Sequence, residues 1–210
     1  MANKLEQLEA LQDIRKMMKE SSRFLSLSGI SGILAGVYAL IGAFLGHLAI
    51  QKYQNPYIVD PVWDYDNLII SIAAICVCVL ILSFFTVLFL SGQKARKNNY
   101  KLFDHSSRWL LWSMIVPLIA GGIFCLALLL QGGDAIFFIA PSMLIFYGLS
   151  LISSSRLTLH DIKYLGYLEL VLGLIACFLK EHGLLFWTLG FGILHLIYGS
   201  IMWYKYDRKP

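Results

Sequence analysis

Six apolar runs, near 26–50, 67–91, 109–131, 135–153, 162–179 and 184–203, are separated by short charged stretches. This alternation constrains the chain more than any other feature. A bilayer core of ~30 Å takes roughly 20 apolar residues per helix. In lipid, a spanning segment must satisfy its own backbone polar groups, so helices of this length are the expected solution. The chain is 58% hydrophobic and only 14% charged, against about 25% charged in soluble domains. The expected fold is an all-α polytopic membrane bundle of six transmembrane helices, preceded by an amphipathic N-terminal helix. It divides into a cytoplasmic helix at 1–23, the transmembrane domain at 24–204 and a short cytoplasmic tail at 205–210. The first apolar run is too long for a signal peptide and follows an arm with four acidic residues, so it reads as a retained helix.

Lys and Arg set the expected orientation. Fifteen of the 17 lie in the N-terminal arm, the second and fourth loops and the tail, and only Lys52 and Lys180 fall on the other side. Both termini are therefore expected in the cytoplasm, with six crossings. The net charge of +4 points to lipid headgroups as the partner and not to nucleic acid.

Residues 4–20 carry Leu5, Leu8, Leu11, Ile14 and Met18 on one helical stripe. Acids lead the segment and bases close it, which suits the helix dipole. Such a helix either lies on the inner leaflet or pairs with a protein partner or a second copy of the chain. Helix one offers a second route to self-association. Within it, Gly29, Gly32, Gly36, Ala39, Ala43 and Gly46 follow steps of 3, 4, 3, 4 and 3. Small residues let helix backbones approach in lipid, where close packing replaces the hydrophobic effect as the driving force. A mean step of 3.5 keeps the stripe on one left-handed neighbour.

The same rhythm recurs in the last hairpin, each time interrupted by one ionisable residue. Gly166, Glu169, Gly173 and Ala176 share a stripe in helix five, and Thr188, Gly192, His195 and Gly199 share one in helix six. Glu169 lies about 10 Å from the start of its helix and His195 about 12 Å from the end of its own, at 1.5 Å per residue. A short turn joins the two helices, which predicts antiparallel neighbours whose side chains can meet. A charge at the bilayer centre costs ~2.5–3.5 kcal/mol. A lone glutamate there holds its proton, whereas an imidazole partner can stabilise the ionised pair or share one proton. Glu169 and His195 are thus either a proton- or ion-coupling site or a buried hydrogen bond that fixes helix pairing.

Other features read as structural. Cys76, Cys78, Cys125 and Cys177 fall inside predicted helices as small apolar filler, and neither a metal nor a cofactor is expected. The outer loop 51–67 combines four aromatic residues with three aspartates and reads as part of the interfacial belt. His47 reads as interfacial, and His105, His160 and His182 as loop residues. Pro117 lies deep in helix three and Pro141 in the first turns of helix four. The tripeptide Ser-Ser-Arg occurs at 21–23, 106–108 and 154–156, where each copy would open an odd-numbered helix. FYG at 146–148 resembles IYG at 197–199 in even-numbered helices. Three helical hairpins in one orientation would account for both patterns.

No phosphate loop and no His-Glu-x-x-His occur. Six helices with Gly148-Leu149-Ser150 on the fourth and His195 on the sixth resemble the layout of rhomboid proteases. That family's Gly-x-Ser-Gly is broken here by Leu151, and Ser150 falls near the cytoplasmic end. The stretches IRKMMKESSRFLSLSGISG (14–32), DIKYLGYLEL (161–170) and GFGILHLIYGSIMWYKY (190–206) resemble a group of bacterial six-helix inner-membrane proteins. That resemblance implies the bacterial cytoplasmic membrane and a sensing or accessory role without an assigned activity. The expected function is a non-enzymatic regulatory or accessory membrane protein; the alternative is a small proton-coupled transporter built on Glu169 and His195.

Overall fold

The computed structural model describes Leu11 and residues 28–54, 65–97, 105–158 and 161–208. Apart from Leu11, the N-terminal arm with its first Ser-Ser-Arg lies outside the described residues, as do most of the first outer loop, His160 and the last two residues. Among the described residues every regular element is helical. Five helices are α1 (Gly29–Gln54), α2 (Tyr65–Lys97), α3 (His105–Gln131), α4 (Ile139–Ser154) and α5 (Ile162–Ala176). The sixth, α6, runs over 183–207 and changes winding along its length. It is α-helical at Gly183–Trp187, π-helical at Thr188–Leu194, α-helical again at His195–Met202 and π-helical at Trp203–Asp207.

Five helical stretches are long and apolar enough to cross a membrane. The exception is α5. Its 15 residues span about 22 Å, where the apolar pattern predicts a helix over 162–179. The helix stops because the chain turns at Cys177, Leu179 leaves helical backbone at φ −119° and ψ 62°, and a 3₁₀ turn at Lys180–His182 leads into α6. A second 3₁₀ turn, Gly133–Phe138, precedes α4 and leaves Pro141 in that helix's first turn, as expected. Gly132 and Gly133, at φ 67° and 54°, make the bend that a side chain would resist.

The third Ser-Ser-Arg departs from its expected place. Ser154 is the last residue of α4, so this copy closes a helix instead of opening one. The Ser154 and Ser155 hydroxyls donate to the Leu151 and Ile152 carbonyls, three residues back, and satisfy acceptors at the helix end.

Of the three expected hairpins, α1–α2 and α3–α4 each pack along their length, but the third is splayed. The main neighbour of α5 is α4, and that of α6 is α1. The glycines explain the exchange. A Cβ on Gly36 would meet the Gly192 carbonyl oxygen at 2.8 Å and the Leu196 nitrogen at 2.9 Å; one on Gly199 would meet Ile33 nitrogen at 2.5 Å. Gly32 lies against Gly199, and Gly29 against the backbone of Trp203. Further along, Ala39 and Ala43 pack on Trp187, and Gly46 faces Leu184. The small-residue stripe of α1 is therefore met by α6 of the same chain. On the other side, Gly148 and Gly166 bring α4 and α5 together backbone to backbone, and Gly173 faces Pro141 and Ile145.

This leaves α2 and α3 outermost. Only 6% of the apolar window of each is buried, against 28–33% for α1, α4 and α6. One face carries the ends that close the bundle. Asp207, at the end of α6, accepts from Gly29 N–H at 2.8 Å, from the Ser28 hydroxyl at 3.2 Å and from Lys94 Nζ at 2.6 Å. It caps α1, where a carboxylate suits the helix dipole, and ties that end to α2. Nearby on the chain, Asp161 accepts from Lys205 at 2.5 Å and from the Tyr206 hydroxyl at 2.9 Å. Lys94, Arg96, Lys97, Lys205 and Arg208 cluster at these helix ends, and we refer to this as the basic face.

Candidate functional site

Three inner helices each contribute one polar side chain to a single buried point. Glu169 comes from the middle of α5, His195 from α6 and Tyr147 from α4. Glu169 has no solvent exposure and His195 only 7%. His195 Nδ1 lies 3.4 Å from Glu169 Oε1 and 3.1 Å from the Gly190 carbonyl oxygen, while Nε2 lies 2.8 Å from the Tyr147 hydroxyl. The depths counted along the sequence place the two ionisable groups at one level, and the fold brings them together. It does so through α4, since α5 and α6 touch each other only sparingly.

The carbonyl can only accept, so Nδ1 carries a proton directed at Gly190. A neutral ring then presents a lone pair at Nε2 to the Tyr147 O–H; a protonated ring donates there instead. The backbone makes this arrangement possible. His195 reaches back five residues to Gly190, within the π-helical stretch Thr188–Leu194. Such widened turns leave backbone groups placed for side chains and frequently mark functional positions. Gly190 has a second task. A Cβ there would lie 2.5 Å from Glu169 Oε2, so only glycine lets the carboxyl group rest against α6.

Neither Glu169 oxygen has a hydrogen-bond partner, although Oε1 is within ion-pair distance of the ring. An isolated carboxylate in apolar surroundings is costly. Glu169 therefore exists either as the acid or as the anion facing an imidazolium, and the two forms differ by one proton position. The Trp187 indole nitrogen and the Tyr198 hydroxyl are likewise buried without a partner. Aromatic rings wall the site. Phe191 lies 5.2 Å from Tyr147, 5.4 Å from Trp187 and 6.1 Å from His195, centroid to centroid.

Tyr147 and Gly190 are the parts not identified from sequence. Tyr147 lies in the FYG that matches IYG at 197–199, which reads there only as a repeat; the position of the tyrosine relative to His195 depends on α4 entering between α5 and α6. Ser150 lies one turn further along α4. Its hydroxyl donates to the Met114 carbonyl at 3.1 Å, while the His195 ring is held by Tyr147 and Gly190, so this serine and this histidine are not joined. Among the described residues no three His, Cys, Asp or Glu side chains group as metal ligands, and Cys76, Cys78, Cys125 and Cys177 are free thiols. His47 and His182 are exposed and line a groove of about 600 Å³ between α1 and α6 with Leu40, Glu181, Leu185 and Thr188. Glu169, His195 and Tyr147 do not line that groove. No protein-family model, curated protein or solved structure matches this chain.

Proposed function

We propose that this multi-pass helical protein is proton-linked: Glu169, His195 and Tyr147 take up and release one proton. One observation carries the reading. A fully buried glutamate stands 3.4 Å from a buried imidazole, and the groups that complete the site come from three separate helices. An intramembrane ionisable pair is costly to keep and points to a relay or coupling role. Its placement also suits coupling. The proton is shared across α5 and α6, so its position bears on how α6 sits between α4 and the glycine face of α1.

The amphipathic stripe at residues 4–20 favours a second reading, an accessory protein that acts through its arm on lipid, a partner or a second copy. The excess of Lys and Arg supports placing the basic face and both termini in the cytoplasm, and the resemblance to bacterial proteins supports the cytoplasmic membrane of a bacterium.

The test is proton movement in vesicles that contain the full-length protein and an internal pH-sensitive dye, under an imposed pH gradient. Wild-type flux above protein-free vesicles, lost in Glu169→Gln and His195→Ala, is expected. Flux that survives both substitutions, or none from the intact protein, overturns the proton-linked reading.

A further inference from the structure

The groove of about 600 Å³ between α1 and α6 stands apart from Glu169, His195 and Tyr147, and its lining is sorted by polarity along its length. The two helices run antiparallel beside it, with Gly46 against Leu184 and Gly36 against Gly192 and Leu196. Leu40 and Leu189 therefore stand at one level. His47 and His182 stand at another, seven residues or about 10 Å away along each helix. The inner part is apolar, with Leu40 and Leu189 deepest and the exposed Phe44 and Leu185 as its lips. Thr188 lies among them, but its hydroxyl donates to the Leu184 carbonyl oxygen at 2.7 Å and so is already spent. The end away from the basic face carries His47, Glu181 and His182, all exposed. None of these three side chains has a hydrogen bond or ion pair with another described residue.

Both helices are long and apolar enough to cross a membrane. In a bilayer the inner part of the groove then faces hydrocarbon, and the end with the histidines lies toward the headgroup level. A ligand that matches this order has an apolar chain and one polar end. The charges at that end select among such ligands. The Glu181 carboxylate accepts hydrogen bonds and favours a cation, whereas an imidazole N–H donates to an anionic oxygen. A head with a phosphate and a primary ammonium satisfies both. A trimethylated ammonium has no N–H to give to Glu181, and a phosphate without an amine leaves two negative charges side by side.

We propose that this groove is a binding site for an aminophospholipid of the bilayer. One acyl chain lies along Leu40, Phe44, Leu185 and Leu189. The phosphate accepts from His47 and His182, and the primary ammonium donates to Glu181.

The test is photolabelling of the full-length protein in vesicles of phosphatidylcholine. A small fraction of the lipid is phosphatidylethanolamine with a photoactivatable diazirine in one acyl chain, and mass spectrometry of peptides locates the adducts. Labelling of Leu40, Phe44, Leu185 and Leu189 is expected to exceed that of Leu80 and Phe85 on α2, which are also exposed. Added unlabelled phosphatidylethanolamine is expected to compete, and added phosphatidylglycerol is not. Glu181→Gln alters an exposed position outside the core. It is expected to lower groove labelling at least about threefold, as loss of one charge-assisted hydrogen bond would, with labelling of α2 unchanged. Groove labelling equal to that of α2 means that lipid merely solvates the groove. Labelling below that of α2 means that another occupant, such as a second copy of the chain, covers it. Either result overturns the proposal. Labelling that phosphatidylglycerol displaces equally well, or that Glu181→Gln leaves intact, overturns the aminophospholipid assignment.

Discussion

The α1–α6 seam and residue 190 at the α4–α5–α6 junction both need glycine, and they use it differently. At the seam, the atoms that a Cβ on Gly29, Gly32 or Gly199 would meet are backbone, and at Gly36 they are two backbone atoms and one Leu196 side-chain carbon. The space saved there is spent on bringing two helix axes together, and backbone cannot turn aside. At the junction, the Cβ of residue 190 would meet a Leu144 methyl group and the Glu169 carboxyl group, both side chains. The space saved there holds an ionisable group. The same residue type thus gives a contact in one place and a site in the other. The distinction depends on what stands opposite, not on the stripe itself.

Removing the imidazole should have the largest effect. His195→Ala deletes the partner of Tyr147 and leaves Glu169 beside a void, at a cost of about 3 kcal/mol in unfolding free energy measured in detergent. A loss no larger than that of a surface substitution would mean that the junction is not a special point of the fold. Next comes the seam. Gly199→Ala puts a methyl group 2.5 Å from the Ile33 nitrogen and should cost about 1–3 kcal/mol. Gly122→Ala on α3, where nothing lies within 4 Å, should stay within about 0.5 kcal/mol of wild type. Equal effects at the two positions would remove the claim that the seam is a backbone contact. The smallest effect belongs to the clamp at the basic face. Asp207→Asn keeps an acceptor for Gly29 but loses the charge opposite Lys94, and should lower stability by about 1 kcal/mol. An unchanged melting temperature would show that the ends of α1 and α6 are held by their glycines alone.

Much of this was legible along the chain, for a physical reason. The apolar runs, the basic bias and the 3–4 spacing are local or periodic properties, and the bilayer turns them into helices, ends and faces. Glu169 and His195 stand out in the sequence because each interrupts a small-residue stripe at similar depth. The limits are equally physical. The apolar run continues past Ala176, yet α5 stops there because the chain must turn into α6. Ser154-Ser155-Arg156 reads as a helix start because serine serves both ends of a helix, capping N–H groups at one and donating to carbonyls at the other.

What the sequence determined by itself is therefore the set of helices, their expected polarity and the residues of each that need a close neighbour. Which neighbour each one received was decided by the tertiary structure. Glycine stripes on α1, α5 and α6 carry no label for their partner, since packing of small surfaces in lipid depends on shape met across space. Once α6 took α1 and α5 took α4, the third hairpin opened, Tyr147 came within 2.8 Å of His195, and a carboxyl group and an imidazole on adjoining helices became a three-helix site.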